Sequence, residues 1–290
     1  MKTYVINLAR SVERRAHMVA QMAGSGLDYE WVDAVDGRNL DLGDPLLFAP
    51  GLASRQGFRP GAAGCGLSHI SAYDRIVERN EPVALVLEDD VELPDDIAAL
   101  SCATAARMRA GEVVLLNFHF PGVLALTQEG AEQLPGGRWV AAPLCTEGLT
   151  SLGAYLITKE ACERMRKCML PMRDFPDNWG RLCQEGAFAL LRCVAPMPVS
   201  NSAQFRTTID CYPPGSFQLR VREAIAGSRA PVLHDLLVRR RRREFERRGW
   251  APPTALVDAP TGSDDGGDRA SGPNSSQSVV SSRTNSNPAT

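Results

Sequence analysis

Short apolar runs alternate along the chain with segments whose apolar residues recur at helical spacing. The runs predict strands at Thr3–Leu8, Tyr29–Val32, Val83–Leu87, Val113–Leu116, Gly153–Ile157 and Phe188–Val194. The periodic segments predict helices over residues 12–23, 66–79 and 95–109, and a fourth helix capped by Thr158. This alternation is typical of a layered α/β fold. Continuous rather than alternating apolarity favours a mainly parallel central sheet covered on both faces.

The predicted sheet has one strand that ends in an unusual way. The apolar run at 83–87 is followed at once by three carboxylates, Glu88, Asp89 and Asp90. Parallel sheets bind ligands beyond the carboxyl ends of their strands, and alternate residues of an extended segment point to one face. Glu88 and Asp90 can therefore hold Mg²⁺ or Mn²⁺ through oxygen ligands. The alternative is a solvated acidic turn.

Basic and polar residues follow the first strand and open a later helix. Asn7, Arg10 and Arg14 can hold phosphates, although they also fit a solvated helix face. Ser68 and His69 follow a Gly-Cys-Gly segment and are predicted in the first helical turn, where free N–H groups favour anions. The alternative is an ordinary helix start with a structural histidine. Glycine-rich phosphate motifs are absent, which argues against a dinucleotide-binding protein or an ATPase.

Two aspartates lie in a loop with Pro and Trp. Asp174 and Asp177 belong to the segment RDFPDNW at 173–179. A carboxylate in such an apolar surround can act as a general base. A cap on the following helix is the structural alternative. A long Gly-, Pro- and Asp-rich loop is also predicted at residues 38–63, and such loops are often functional.

The composition of the chain bears on its cellular location and on the state of its cysteines. The chain has 290 residues and a net charge of −2, with 30 basic and 30 acidic residues in positions 1–250. It lacks an apolar run long enough for a signal peptide or a membrane span, so we expect a cytoplasmic protein. The eight cysteines include no C-x-x-C pair. They predict buried free thiols rather than disulfides or a zinc site.

The C-terminal part departs from the α/β pattern. Residues 239–250 form a basic segment in which Arg239–Arg248 contains seven arginines, and this segment can contact an anionic membrane. We expect no nucleic-acid binding, because aromatic and basic residues do not interleave elsewhere. Residues 251–290 are rich in Pro, Gly, Ser, Asn and Thr and predict a disordered tail. The predicted domains are therefore 1–238, 239–250 and 251–290.

Six segments occur in an order that resembles glycosyltransferase family 25, of the lipopolysaccharide or lipooligosaccharide β-galactosyltransferase type. They are VINLARSVERR at 5–15, DAVDG at 33–37, GCGLSH at 64–69, LEDDVEL at 87–93, GAYLITKEA at 153–161 and FPDNW at 175–179. The resemblance covers about residues 2–205. It implies a GT-A-like fold, a nucleotide-binding sandwich that uses a UDP-sugar and a divalent cation.

The resemblance also implies roles for individual residues. Glu88 and Asp90 stand where the family's metal motif stands, and Asp177 matches the position of a general base in an inverting reaction. The residues implied in nucleotide and substrate binding are Asn7, Arg10, Arg14, Asp33, Ser68, His69 and Asp89. The Trp that the family pattern places near the end of the SH helix is missing around Tyr73.

The leading hypothesis is a metal-dependent glycosyltransferase that moves a hexose, most simply galactose from UDP-galactose. The acceptor is then a glycan or glycolipid, and the basic segment holds the enzyme on the inner face of the membrane. The alternatives are a sugar-nucleotide-binding protein without activity and a metal-dependent nucleotidyl- or phosphotransferase.

Overall fold

The computed structural model describes residues 1–205 and 254–257, all within the unit Met1–Ala259. The helices are α1 Val12–Ser25, α2 Pro60–Glu78, α3 Ile97–Ala105, α4 Lys159–Met169 and α5 Trp179–Gln184. The main sheet contains β1 Lys2–Asn7, β2 Tyr29–Asp33, β3 Val83–Glu88, β5 Glu112–Leu115, β7 Glu132–Leu134, β8 Arg138–Ala141, β9 Ala154–Thr158 and β10 Leu190–Ala195. Two small sheets pair β4 Val91–Glu92 with β11 Ser200–Asn201, and β6 Leu124–Thr127 with β12 Thr254–Val257. The six predicted strands are confirmed within a residue or two.

The main sheet is mixed, with the strand order β2-β1-β3-β9-β5-β10-β8-β7. Parallel pairs join β1 to β2 and β3, and β5 to β10. Strand β9 runs antiparallel to both β3 and β5, and β8 runs antiparallel to both β10 and β7. The prediction of a mainly parallel sheet is therefore wrong. Every residue of β9 is buried, so its continuous apolarity reflects cover on both faces and carries no information about direction.

Helices cover the sheet on both sides and give the layered α/β arrangement that the sequence predicts. In β1, Tyr4 and Ile6 belong to the core that includes α2 and α4, whereas Val5 belongs to the core that includes α1 and α3. Alternate strand residues thus serve opposite layers. The layered class is confirmed, while the assignment to the GT-A type stays a prediction.

Helix α2 begins at Pro60, six residues before its predicted start. Ser68 and His69 consequently lie in its interior, and the prediction that they form an anion-binding first turn is wrong. The small residues that resembled a loop serve close packing: a Cβ on Gly64 would lie 2.5 Å from the Val35 carbonyl oxygen. Pro at the first helical position was the available signal of the earlier start.

The cysteines fit the buried-thiol prediction only in part. The seven in the described ranges form no disulfide. Cys162 and Cys193 are buried, but Cys102, Cys145 and Cys183 are exposed. The prediction of burial rested on residue type alone. It is wrong for the three cysteines that lie on a helix or loop surface.

The predicted boundary at residue 238 lies outside the described residues, as do the basic segment Arg239–Arg248 and most of the predicted disordered tail. The part of that tail that the structure describes, Thr254–Val257, instead forms a strand paired with β6. Within residues 1–205 and 254–257, no helix combines the length and apolarity needed to cross a membrane.

Candidate active site

The carboxyl ends of the parallel strands β1 and β3 meet at one edge of the sheet. Ile6 pairs with Glu88 in register; β1 then ends at Asn7, and Asp89 and Asp90 follow directly after the end of β3. The topology thereby brings the first predicted motif and the acidic motif together, although 80 residues separate them along the chain.

Asp89 connects the acidic motif to the first strand and to α1. Its Oδ1 accepts a hydrogen bond from Arg14 Nη1 at 2.8 Å, and its Oδ2 accepts one from Asn7 Nδ2 at 2.7 Å. All three residues are at most 9% exposed. Asp89 is therefore a neutralised, fully bonded group that fixes the acidic turn in place, and Asn7 and Arg14 reach the site through it.

Asp90 is bonded far less completely. Arg14 Nη1 lies 3.0 Å from its Oδ2, but its Oδ1 is buried and has no hydrogen-bond partner among the described residues. Burial raises the pKa of Asp90 to about 7, and the charge of Glu88 adds to this effect. An unpartnered, buried carboxylate oxygen is costly unless a ligand occupies the space beside it.

Glu88 faces helix α2. Its Oε1 lies 3.3 Å from His69 Nε2 and accepts a hydrogen bond of 3.4 Å from the Cys65 thiol. His69 Nδ1 lies 2.6 Å from the Tyr155 hydroxyl, which contacts the Tyr73 hydroxyl at 2.8 Å. Burial disfavours ionisation of Glu88, but its hydrogen bond and charge interaction with His69 outweigh burial and lower its pKa. The two carboxyls, Glu88 and Asp90, thus have pKa values shifted in opposite directions.

Asp177 lies within electrostatic range of this cluster. Burial raises its pKa and the charge of Glu88 adds to the increase, against a 3.3 Å hydrogen bond from the Ser151 backbone N–H. The cap of α5 is the neighbouring Asn178, whose side chain accepts from the Arg181 N–H. The capping role proposed as the alternative for Asp177 therefore belongs to Asn178.

Asp174, the other aspartate of that loop, has a structural environment. It is 4% exposed, and its oxygens accept hydrogen bonds from Arg55, Asn178 and the Phe175 N–H. These hydrogen bonds fix the loop that carries Asp177. Asp174 therefore helps to position Asp177 and forms none of these bonds with the acidic cluster.

Ser151 supports Asp177 and was not found from the sequence. Its φ of 96° lies in the region that side chains other than glycine rarely adopt. Its hydroxyl donates to Asn117 Oδ1, and its carbonyl accepts from the Trp179 indole at 2.8 Å. Strained backbone at a polar cluster is common in functional sites. No local sequence pattern indicates the role of Ser151, because serine is a common loop residue.

The remaining predicted residues lie further from the carboxylates. Ser68 is buried, donates to the Gly64 carbonyl at 2.6 Å and accepts from the Val35 N–H at 2.8 Å, so it ties α2 to the loop after β2. Asp33 is exposed at the end of β2, in register with Asn7. Arg10 pairs with Asp36 at 2.9 Å on the surface.

The residues present fit a divalent cation. Glu88 and Asp90 supply hard oxygen atoms, and one of those oxygens is buried without a partner. Arg14 pairs with Asp89 and Asp90, and His69 lies 3.3 Å from Glu88, so the acids Glu88, Asp89, Asp90 and Asp177 outnumber these two partners. The cluster therefore carries an excess of negative charge that a cation would balance.

Comparison with known proteins places the chain among the glycosyltransferases. Residues 1–177 match the model of "Glycosyltransferase family 25 (LPS biosynthesis protein)", which is more than half of the chain. The chain belongs to glycosyltransferase family 25, so the family resemblance found in the sequence is confirmed, while the β-galactosyltransferase type stays a prediction.

The similar curated proteins carry different names. A glycosyltransferase 25 family member of Anopheles gambiae is 42% identical over 97 residues, which cover 30% of this chain and 16% of that protein. Procollagen galactosyltransferase 2 of Mus musculus is 33% identical over 95 residues, 30% of this chain and 15% of that protein. The inactive glycosyltransferase 25 family member 3 of Mus musculus is 38% identical over 104 residues, 33% and 17% respectively. The chain spans about a sixth of the length of each of these three relatives, so the family rests on the match over residues 1–177 and the activity is not shown.

Proposed function

We propose that the protein is a divalent-cation-dependent glycosyltransferase that moves galactose from UDP-galactose onto a hydroxyl of a glycan acceptor, such as a lipopolysaccharide or lipooligosaccharide precursor. The observation that carries this proposal is the partly buried carboxylate cluster at the end of β3, with its excess charge and the buried, unpartnered Asp90 oxygen. Family membership supports group transfer as the reaction class.

Glu88 and Asp90 are the proposed ligands of Mn²⁺ or Mg²⁺. Such ions commonly bind through one or two carboxylates together with substrate phosphates. When bound, the cation would stabilise the negative charge on the leaving diphosphate. Asp89 positions the adjoining ligands through its bonds to Asn7 and Arg14.

The nucleotide would lie at the neighbouring strand ends. Arg10 and Asp33 are exposed there and are proposed to contact the UDP group. Ser68 and His69 are proposed to act indirectly. Ser68 fixes the loop after β2, and His69 holds Glu88.

Asp177 is the proposed general base. The acceptor hydroxyl gives its proton to the carboxylate while its oxygen attacks the anomeric carbon, and the bond from that carbon to the diphosphate oxygen breaks. Attack from the face opposite UDP inverts the anomeric configuration. A carboxyl with a raised pKa is a better base than an ordinary aspartate at neutral pH.

The test measures UDP release from a panel of UDP-sugars with Mn²⁺ for wild type, Asp90→Ala and the control Asp95→Ala. Asp95 is an exposed acid five residues further along the chain. We expect wild type and Asp95→Ala to release UDP from UDP-galactose, with loss in Asp90→Ala and with chelator. Equal UDP release by wild type and both variants, or UDP release that chelator leaves unchanged, would overturn the proposal.

One alternative has a specific observation in its favour. A relative of 38% identity is named inactive, so a sugar-nucleotide-binding protein without turnover is the second candidate. UDP binding without release across a broad donor and acceptor panel would favour it. Release of pyrophosphate instead of UDP would favour a nucleotidyltransferase.

The membrane contact is proposed from the sequence, since Arg239–Arg248 lies outside the described residues. Deleting residues 239–290 should move the protein from the membrane fraction to the supernatant. Unchanged fractionation would contradict this contact.

A further inference from the structure

A second set of ligand atoms meets on the other side of Glu88. Cys65 and His69 are four residues apart on α2, so their side chains share one helix face. Cys65 Sγ, His69 Nε2 and a Glu88 carboxylate oxygen all lie within 4.8 Å of one another. A thiol, an imidazole and a carboxylate together are typical of zinc ligands.

The two distances to the Glu88 carboxylate fit one tetrahedral ion. With usual zinc bond lengths, two tetrahedral neighbours lie about 3.3 Å apart for nitrogen and oxygen, and about 3.5 Å apart for sulfur and oxygen. The distances to Glu88 Oε1 are 3.3 Å from His69 Nε2 and 3.4 Å from Cys65 Sγ. The metal-free protein uses these distances for hydrogen bonds. An ion can therefore replace the thiol proton without backbone movement.

The histidine is oriented as metal-ligating histidines are. Its Nδ1 lies 2.6 Å from the Tyr155 hydroxyl, which the Tyr73 hydroxyl contacts in turn. A bond from the second ring nitrogen to a fixed polar group sets the tautomer and the ring angle. With Nδ1 so engaged, Nε2 is directed at Glu88.

We propose that Cys65, His69 and Glu88 form a binding site for a thiophilic divalent cation such as Zn²⁺. The cation binds the thiolate, one thiol proton passes to solvent, and the fourth position stays open for water. The Glu88 side chain is 27% exposed, which gives access from that side. Thiolate and imidazole select Zn²⁺ over Mn²⁺ and Mg²⁺, which prefer oxygen.

This site shares Glu88 with the proposed oxygen-ligand site. A zinc ion there would take one carboxylate away from Mn²⁺ or Mg²⁺, so Zn²⁺ should inhibit the proposed transfer. The site itself does not depend on that activity, because it is detected by binding alone. A C-x-x-C pair is unnecessary, since a helix supplies two ligands and a strand supplies the third.

The test titrates Co²⁺, a spectroscopic substitute for Zn²⁺, into the reduced, metal-free full chain. We expect one equivalent to give tetrahedral d–d bands and a thiolate-to-cobalt charge-transfer band, which Zn²⁺ abolishes. The bands should persist in the control Cys102→Ser, which removes an exposed thiol, and disappear in Cys65→Ser. Bands retained by Cys65→Ser, or absent from wild type, would overturn the proposal.

X-ray absorption of the wild type with one equivalent of Zn²⁺ keeps the test independent of any variant's folding. One sulfur at about 2.3 Å with nitrogen and oxygen neighbours is the expected shell. A shell of nitrogen and oxygen alone would contradict the proposal. UDP release measured with Mn²⁺ on a zinc-free portion of the same protein batch separates failure of this site from failure of the proposed transferase.

Discussion

Two clusters of buried charge lie on the same sheet, and they are built in opposite ways. In the first, Arg192 on β10 binds Glu112 on β5 and Glu132 on β7. Arg192 also donates to the Arg107 carbonyl at 2.8 Å, and Glu112 accepts from the Arg109 N–H at 2.7 Å. Arg107 also pairs with Glu132 at 3.7 Å, so two arginines balance two glutamates and the hydrogen bonds are made within the protein.

The second cluster holds Glu88, Asp90 and Asp177. In the described part of the chain, Arg14 pairs with Asp90 and His69 lies beside Glu88, so the three acids outnumber these partners. An oxygen of Asp90 lacks a hydrogen-bond partner there, and the pKa values of Asp90 and Asp177 are raised. A buried group that serves the fold is satisfied by the fold. This difference supports the proposal that the second cluster binds a ligand, whereas the first is a structural ion pair.

Breaking the balanced cluster should have the largest effect on stability. Arg192→Met leaves Glu112 buried and unpaired, so we expect unfolding free energy to fall by about 3–5 kcal/mol. Urea denaturation measures the loss. The control Arg181→Met removes an exposed i,i+4 pair with Glu185 and should cost less than about 0.5 kcal/mol. Similar losses of unfolding free energy in both variants would mean that the buried Arg192 cluster contributes no more to stability than a surface ion pair.

Asp177→Asn should leave the fold intact and damage the chemistry. Removing the base should slow transfer at least about 100-fold, equivalent to about 2.7 kcal/mol of barrier. UDP affinity should stay the same, because Asp177 is assigned to the acceptor. Transfer kinetics and calorimetry separate the two quantities, and full activity in the variant would remove Asp177 from its assigned role.

Asp90→Asn should raise stability in the absence of metal. The folded pKa of about 7 exceeds the value of about 4 in the unfolded chain, so ionisation in the fold is unfavourable. Wild type should therefore lose more stability than the variant as pH rises from about 4 to about 7, since only wild type must ionise Asp90. We expect the variant to be roughly 1–3 kcal/mol more stable at pH 8 with chelator, and nearly equal at pH 4. A difference that stays constant with pH would contradict the raised pKa.

Arg10→Ala should have the smallest effect on the fold. Its pair with Asp36 is exposed, and Arg38 also binds that carboxylate. Unfolding free energy should change by less than about 0.5 kcal/mol. Any weakening of UDP binding would then report a direct contact with the nucleotide. A large loss of stability would show that Arg10 holds the loop after β2.

Local sequence predicted the strands and the place of the acidic motif, because an apolar run that stops at three carboxylates is visible without tertiary contacts. Strand β9 was found but its direction was not, since burial on both faces gives the same pattern in either direction. The predicted start of helix α2 was six residues too late because Gly64 and its small neighbours resembled a loop. The close packing of Gly64 against the Val35 carbonyl appears only in three dimensions.

Only part of the candidate site could be predicted from local sequence. Asp89 and Asp90 could be predicted because they stand directly after an apolar strand. Cys65, Tyr155 and Ser151 could not be found, because each gains its role from a partner far away in sequence.

The central claim is that the unbalanced carboxylate cluster binds a divalent cation together with a nucleoside diphosphate. Calorimetric titration of UDP with Mn²⁺ present, for wild type and Asp90→Ala, tests it most directly. The account predicts that UDP binds wild type at least about 10-fold more tightly with Mn²⁺ than with chelator, and that Asp90→Ala loses this gain. Equal UDP affinity with Mn²⁺ and with chelator, or a gain that Asp90→Ala retains, would contradict it.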